Sequence, residues 1–411
     1  MYFFYEFLGL IIVIFSPIII LFRVISGKED PKRFIEKFCI YSNKISNKKT
    51  IWIHGASVGE IASIIPVVKE LEKNKKVKRI LITSSTTSSA LVFSKYKFKK
   101  TIHKYFPIDT NYFSNKFIKY WKPQLSIFVE SEIWPNMYKN LHLKKIPIIL
   151  LNARITKKSF NNWKIFSNFS KNLFNKISLA LPQNFETLKY LKTLGVKNLR
   201  IAGNLKYYGE KKSHKTNLNL KNKFKNRQIW CAASTHQNEE LLVGKVHRKI
   251  KLIKKNLLTI IIPRHINRSD VIINDLKKIG LKIVTHSSSK KINKDTDIYL
   301  VDSYGEASMF YKISNVTFLG GSLISHGGQN PLEPARLGNY IVYGPNIQNF
   351  KEVYTMLGNL NISSKVNNVF NMQKIILKKI KYKQSRLLNQ KLFSIGKKIL
   401  IKNLFEIKKY I

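Results

Sequence analysis

Apolar residues fall along this chain in two kinds of run, and their alternation predicts the architecture. Short apolar runs at 51–54, 79–83, 125–130, 147–151 and 178–182 read as buried strands. Between them, 61–71, 134–141, 160–174 and 185–194 repeat their apolar positions at helical spacing. Strand and helix in alternation build βαβ units on a parallel sheet. The pattern lapses over the polar, lysine-rich stretch 207–227, which reads as a linker. It resumes with strand-like runs at 228–233, 257–263, 281–285, 298–301, 316–320 and 340–343. The expected layout is an apolar helix at 1–24, a Rossmann-like domain at 25–206, the linker, a second Rossmann-like domain at 228–371 and a charged helical tail at 372–411.

The first segment stands apart from this pattern. Residues 3–22 carry a single charge, Glu6. At about 1.5 Å per residue, such a helix rises about 30 Å, the thickness of a bilayer's hydrocarbon layer. No Lys or Arg precedes it and no small-residue cleavage site follows, so it reads as a signal-anchor transmembrane helix rather than a cleaved signal peptide. Arg23, Lys28, Lys32, Arg33 and Lys37 follow at once, which places the body on the cytoplasmic side of an inner membrane. Pro17 keeps a helix lying in the interface as the alternative.

Composition changes this picture little. A chain of 411 residues exceeds what one core usually supports, which fits two domains. With only Cys39 and Cys231, no disulfide framework is indicated. The net charge of +50 is spread over the whole length without a nucleic-acid motif. It reads as a general drift toward Lys, Asn and Ile, with attraction to an anionic membrane surface second and nucleic acid excluded as a partner.

The candidate chemistry sits at predicted strand ends. Ile51-Trp52-Ile53-His54-Gly55-Ala56-Ser57-Val58-Gly59-Glu60 reads as strand, tight turn and helix start. There Glu60 is either the partner of Ser57 in a capping box or an ionised carboxylate able to accept a proton. Glu130 ends another strand, and Glu132 is expected in the first turn of the helix that follows. Paired carboxylates at neighbouring strand ends suit work on a hydroxyl. In the second half, Gly320-Gly321 offers bare backbone for the approach of a phosphate. Asn330 as cap, Pro331 as first helical residue and Glu333 then start a helix whose N–H groups form an anion site. Pro263-Arg264-His265 and Gly305-Glu306-Ala307 are further anion candidates. No Walker A pattern, dinucleotide fingerprint or zinc spacing occurs, and His54, His236, His265 and His326 are too scattered in sequence to argue for a metal.

Together these motifs, with Glu130-Ser131-Glu132-Ile133-Trp134-Pro135-Asn136, Asn152-Ala153-Arg154, Gly203-Asn204-Leu205-Lys206 and Ala233-Ser234-Thr235-His236, resemble the 3-deoxy-D-manno-octulosonic acid (Kdo) transferases that decorate lipid A. These are membrane-anchored glycosyltransferases of GT-B fold, two doubly wound α/β domains with a facing cleft. The resemblance implies transfer of Kdo from CMP-Kdo to a lipid A precursor, inverting and without a metal or other cofactor. It implies an N-terminal acceptor domain and a C-terminal nucleotide-sugar domain. Glu60 would be the base, Glu130 and Lys206 would steady the transition state, and Pro263, Arg264, Gly305, Glu306, Ala307, Asn330, Pro331, Leu332 and Glu333 would hold the CMP moiety. The chain departs from the pattern at Gln237, where an acidic residue is common, and at Gln329, where histidine is common. Two other readings compete: a lipid-acceptor GT-B enzyme using a UDP-sugar, and a basic membrane-tethered binding protein.

Overall fold

The computed structural model of the chain describes residues 2–41, 49–208, 223–288 and 292–411. Most of the expected linker, 209–222, lies outside them. The chain divides into two compact units, one of residues 1–210 with 395–411, the other of residues 211–394.

The first unit is built on an all-parallel sheet of β1 (Thr50–His54), β2 (Arg79–Ser84), β3 (Thr101–Tyr105), β4 (Pro123–Val129), β5 (Ile148–Ala153) and β6 (Leu179–Pro182), in the order β3-β2-β1-β4-β5-β6. Its strands read as near-continuous apolar runs because both faces are covered. Ile51 and Ile53 of β1 enter one apolar cluster with Ile80, Ile82, Ile127 and Leu151. Trp52, Leu81, Phe128 and Leu150, one residue out of step, enter the other. Strand order reverses between β1 and β4, and both of these strands end in candidate chemistry.

Sequence pattern alone misses β3, an edge strand whose Thr-Ile-His-Lys-Tyr is buried only at its ends. Polar contacts hold it instead: Glu36 accepts the Tyr105 N–H at 2.9 Å and pairs with Lys104 at 2.9 Å and Arg33 at 3.0 Å. The predicted helix over 160–174 is two helices, Lys157–Ile165 and Ser167–Phe174, broken where Phe166 leaves helical geometry (φ −108°, ψ 54°). The tail forms two helices, Val369–Lys379 and Arg386–Lys408. The second returns to the first unit, where Leu400, Leu404 and Ile407 join the cluster around Ile51 and Ile53.

The apolar helix Tyr2–Ile25 is long and apolar enough to cross a membrane, and most of its surface is exposed. Its first turns are tied to the body. Tyr5 Oη donates to Asp109 Oδ2 at 2.9 Å, and Glu6 pairs with Lys139 at 3.4 Å. Three of the five cations that follow its apolar run are engaged internally, Arg23 with Glu29 at 3.1 Å, Lys37 with Glu29 at 2.5 Å and Arg33 with Glu36.

The second unit carries a parallel sheet of β7 (Gln228–Thr235), β8 (Leu257–Pro263), β9 (Ile283–Thr285), β10 (Ile298–Leu300), β11 (Val316–Leu319), β12 (Tyr340–Tyr343) and β13 (Ser363–Lys365), in the order β13-β12-β11-β7-β8-β10-β9. Here the reversal falls between β7 and β11. Trp230, Ala232, Ile261, Leu300, Phe318 and Val342 pack in its main cluster.

Docking of the last helix rests on two glycines. A Cβ at Gly203, whose φ is +85°, would lie 2.9 Å from Ile399 Cγ1, and one at Gly396 would run into the Tyr207 carbonyl oxygen. Gly396→Ala is therefore expected to cost about 1–3 kcal/mol, read as a lower thermal unfolding midpoint. An unchanged midpoint would show that the helix does not need this approach.

Candidate active site

In the first unit the candidate residues converge at the switch point. Ser57 caps the helix Val58–Lys73, its Oγ accepting the Glu60 N–H at 3.3 Å. The Glu60 carboxylate turns back, with Oε1 accepting the Ser57 hydroxyl at 2.8 Å and Oε2 the Ala56 N–H at 2.7 Å. The capping geometry is thus real, and it fixes the carboxylate at the mouth of β1. Burial comes first in raising Glu60's proton affinity above that of an ordinary glutamate, and the charges of Glu132 and Glu130 add to it against the hydrogen bonds from Ser57 and Ala56. The helix start alone would favour ionisation. Burial and the neighbouring carboxylates outweigh it.

Glu130 follows β4 with φ +58°, a left-handed conformation uncommon for any residue but glycine. Its Oε1 pairs with Lys206 Nζ at 2.5 Å and accepts from Asn152 Nδ2 at 3.4 Å. Asn152, also at positive φ (+53°), accepts the Leu205 N–H at 3.0 Å, while Asn204 Oδ1 takes the Lys206 N–H at 2.9 Å. These bonds lock the 3-10 turn Leu205–Tyr207 so that Lys206 stands over the helix start: a Cβ on Gly59 would lie 4.0 Å from its Nζ.

Glu132 departs from expectation. The helix behind it begins only at Pro135, so Glu132 lies in the loop, where Oε2 meets buried His54 Nε2 at 3.1 Å and accepts the Trp134 indole N–H at 2.9 Å. His54 also contacts Thr83 Oγ1 at 3.0 Å and stacks on Phe106 at 3.9 Å.

In the second unit β11, β7 and β8 lie side by side, and the segments following them bring together three histidines that the sequence holds far apart. The His236 ring lies 4.3 Å from that of His326 and 5.9 Å from that of His265. Burial, followed by His326, His265, Arg264 and Arg268, pushes His236 down to about 4. Arg264 is exposed and makes no ion pair among the described residues, whereas Arg268 grips Glu240 at 3.0 and 3.2 Å. Such an excess of positive charge suits an anion. His236 and His265 fall just beyond strands, which is a signal available in the sequence, whereas His326 lies further along the segment after β11. Among the described residues no cluster of His, Cys, Asp or Glu is arranged to hold a metal ion.

Two expectations here are corrected. The N–H groups of Gly321, Ser322 and Leu323 do not await a phosphate, because the buried Glu239 carboxylate accepts them at 2.7, 3.2 and 3.0 Å, together with the His236 N–H at 3.0 Å. Gly320 is bare because a Cβ would lie 2.5 Å from Thr235 Cα. The helix beyond starts one residue late: Pro331 is its cap, it spans only Leu332–Arg336, and Asn330 Oδ1 accepts the Leu332 N–H at 3.1 Å. Glu333 is exposed on it. Gly305 sits at φ +86° before the short helix Ala307–Tyr311, and Glu306 pairs with His286 at 3.0 Å.

Residues 32–208 match the family model described as 3-Deoxy-D-manno-octulosonic-acid transferase (kdotransferase). The chain is 34% identical over 345 residues to the 3-deoxy-D-manno-octulosonic acid transferase of Rickettsia bellii, covering 84% of this chain and 82% of that protein. It is 31% identical over 409 residues to the enzyme of the same name from Haemophilus influenzae, covering 96% and 94%. In three dimensions it resembles UDP-GlcNAc 2-epimerase from Neisseria meningitidis, with a TM-score of 0.59 over 87% of this chain and 100% of that one. At 12% identity this is a likeness of fold alone.

Glu239→Ala would leave buried N–H groups without an acceptor, at about 1–3 kcal/mol each. Urea unfolding is expected to show a loss of at least about 3 kcal/mol, and a loss below about 1 kcal/mol would contradict the arrangement. His236, lowered below the ordinary histidine value, binds fewer protons folded than unfolded. Its contribution is complete above about 6.5 and is lost as pH falls toward about 4. Over that window the unfolding midpoint should fall more steeply than in His236→Asn; parallel slopes would contradict this.

Proposed function

Because the chain belongs to the 3-deoxy-D-manno-octulosonic acid transferase family, and so is a glycosyltransferase, we propose that it transfers Kdo from CMP-Kdo to a tetraacylated lipid A precursor, lipid IV(A), in lipopolysaccharide synthesis. The observation that carries this reading is the convergence of Glu60, Glu130 and Lys206 at one switch point. A sugar hydroxyl of the acceptor attacks the anomeric carbon, its proton passes to Glu60, and the bond to the CMP phosphate breaks on the opposite face, inverting the centre. The raised proton affinity of Glu60 suits a base working near neutral pH. Lys206, held by Glu130, supplies positive charge beside the reacting oxygens.

The second unit binds the donor. Pro263-Arg264, Gly305-Glu306-Ala307 and Asn330-Pro331-Leu332-Glu333 contact the CMP moiety, and the excess charge around His236 and Arg264 meets the departing phosphate. The scheme routes no step through a metal. Helix Tyr2–Ile25 holds the protein on the inner membrane with both units on the cytoplasmic side, where an anionic surface attracts a body of charge +50.

Glu60→Gln is expected to lower kcat about 10²–10⁴-fold while leaving CMP affinity within about twofold, measured by mass spectrometry of the product and by calorimetry. Because the base must be deprotonated, wild-type kcat should fall with decreasing pH through a pKa above the ordinary glutamate value. Protection against thermal unfolding by UDP and not by CMP would overturn the choice of donor.

A further inference from the structure

The docked N-terminal helix leaves an open groove of about 350 Å³ between itself and the body of the first unit. Leu8 and Ile12 form its outer wall, and Phe106, Pro107, Ile108 and Trp134 its inner wall. Close approach of the helix depends on Gly9, where a Cβ would lie 3.3 Å from Thr110 Cγ2.

Most of the polar side chains along this groove are already engaged. Tyr5 donates to Asp109, whose carboxylate also accepts the N–H groups of Asn136 and Met137 at 3.1 and 2.8 Å. Lys37 is paired with Glu29 at 2.5 Å, and the Trp134 indole N–H is spent on Glu132. An anion or a sugar would find little to bind, and an apolar chain would find carbon on both sides. The outer wall belongs to a helix that is long and apolar enough to cross a membrane and is mostly exposed, so the groove is continuous with hydrocarbon wherever that helix meets lipid.

Backbone hydrogen bonding connects the groove lining to the candidate catalytic group. Ser85, which lines it, donates its N–H to the Ala56 carbonyl at 3.3 Å, and Ala56 in turn holds Glu60. We propose that this groove is a subsite for one acyl chain of the lipid acceptor, so that a chain seated there positions the sugar hydroxyl at Glu60. The inference rests on the proposed lipid acceptor and adds where a chain is read.

Leu8 and Ile12 are 41% and 51% exposed, so Leu8→Trp and Ile12→Trp fill the groove without entering the core. The readout is kcat/KM for a lipid A precursor with full-length acyl chains, divided by that for the same acceptor with truncated chains. The substitutions are expected to lower this ratio at least tenfold; an unaltered ratio would overturn the subsite. A second measurement needs no turnover: the full-length protein in phospholipid vesicles is illuminated with the precursor carrying a diazirine on an acyl chain. Cross-links on 106–108 or Trp134 are expected, and cross-links confined to other segments would overturn the proposal. Failure of the unsubstituted protein to transfer sugar to either acceptor would instead be a failure of the proposed function, and the cross-linking would still decide the groove.

Discussion

The constraint on which the rest depends is the reversal of strand order in each parallel sheet. Where neighbouring strands send their helices to opposite faces, the carboxyl ends at the reversal stay open. In the first unit the reversal at β1 and β4 sets Glu60 and Glu130 side by side. In the second, the reversal at β7 and β11, with β8 next to β7, gathers His236, His265 and His326. Neither group of residues is close in sequence.

At both openings polar side chains divide into those spent on holding the surrounding structure and those that keep bonding capacity among the described residues. Glu239 belongs to the first kind, since its carboxylate is consumed by loop N–H groups. Glu132 is another, fixing buried His54 and Trp134. Arg264 belongs to the second kind. Glu60 belongs to both, because the bonds that cap its helix also aim it, while burial and two like charges raise its affinity for a proton.

Much of this was legible in advance. The apolar runs marked the central strands because those strands are covered on both faces, and composition has few other ways to satisfy such burial. Edge strand β3 escaped because polar contacts to Glu36 hold it rather than burial. The Gly320-Gly321 turn was recognisable as a special backbone, yet its purpose was misread: clearance for a neighbouring chain and donation to a buried carboxylate leave the same glycines as a phosphate cradle does. The start of the helix at Leu332 was misjudged by one residue because Asn330 and Pro331 satisfy more than one capping geometry.

By itself the sequence determined two parallel α/β units, an apolar leading helix, and glutamates placed just beyond strands, since these follow from local periodicity and turn chemistry. Only the tertiary structure decided that Lys206 meets Glu130, that three distant histidines share one site, that the last helix returns to the first unit, and that Tyr5 fastens the leading helix to Asp109. Each of these is a contact between residues remote in sequence. Such contacts are set by strand order and packing, which no local pattern encodes.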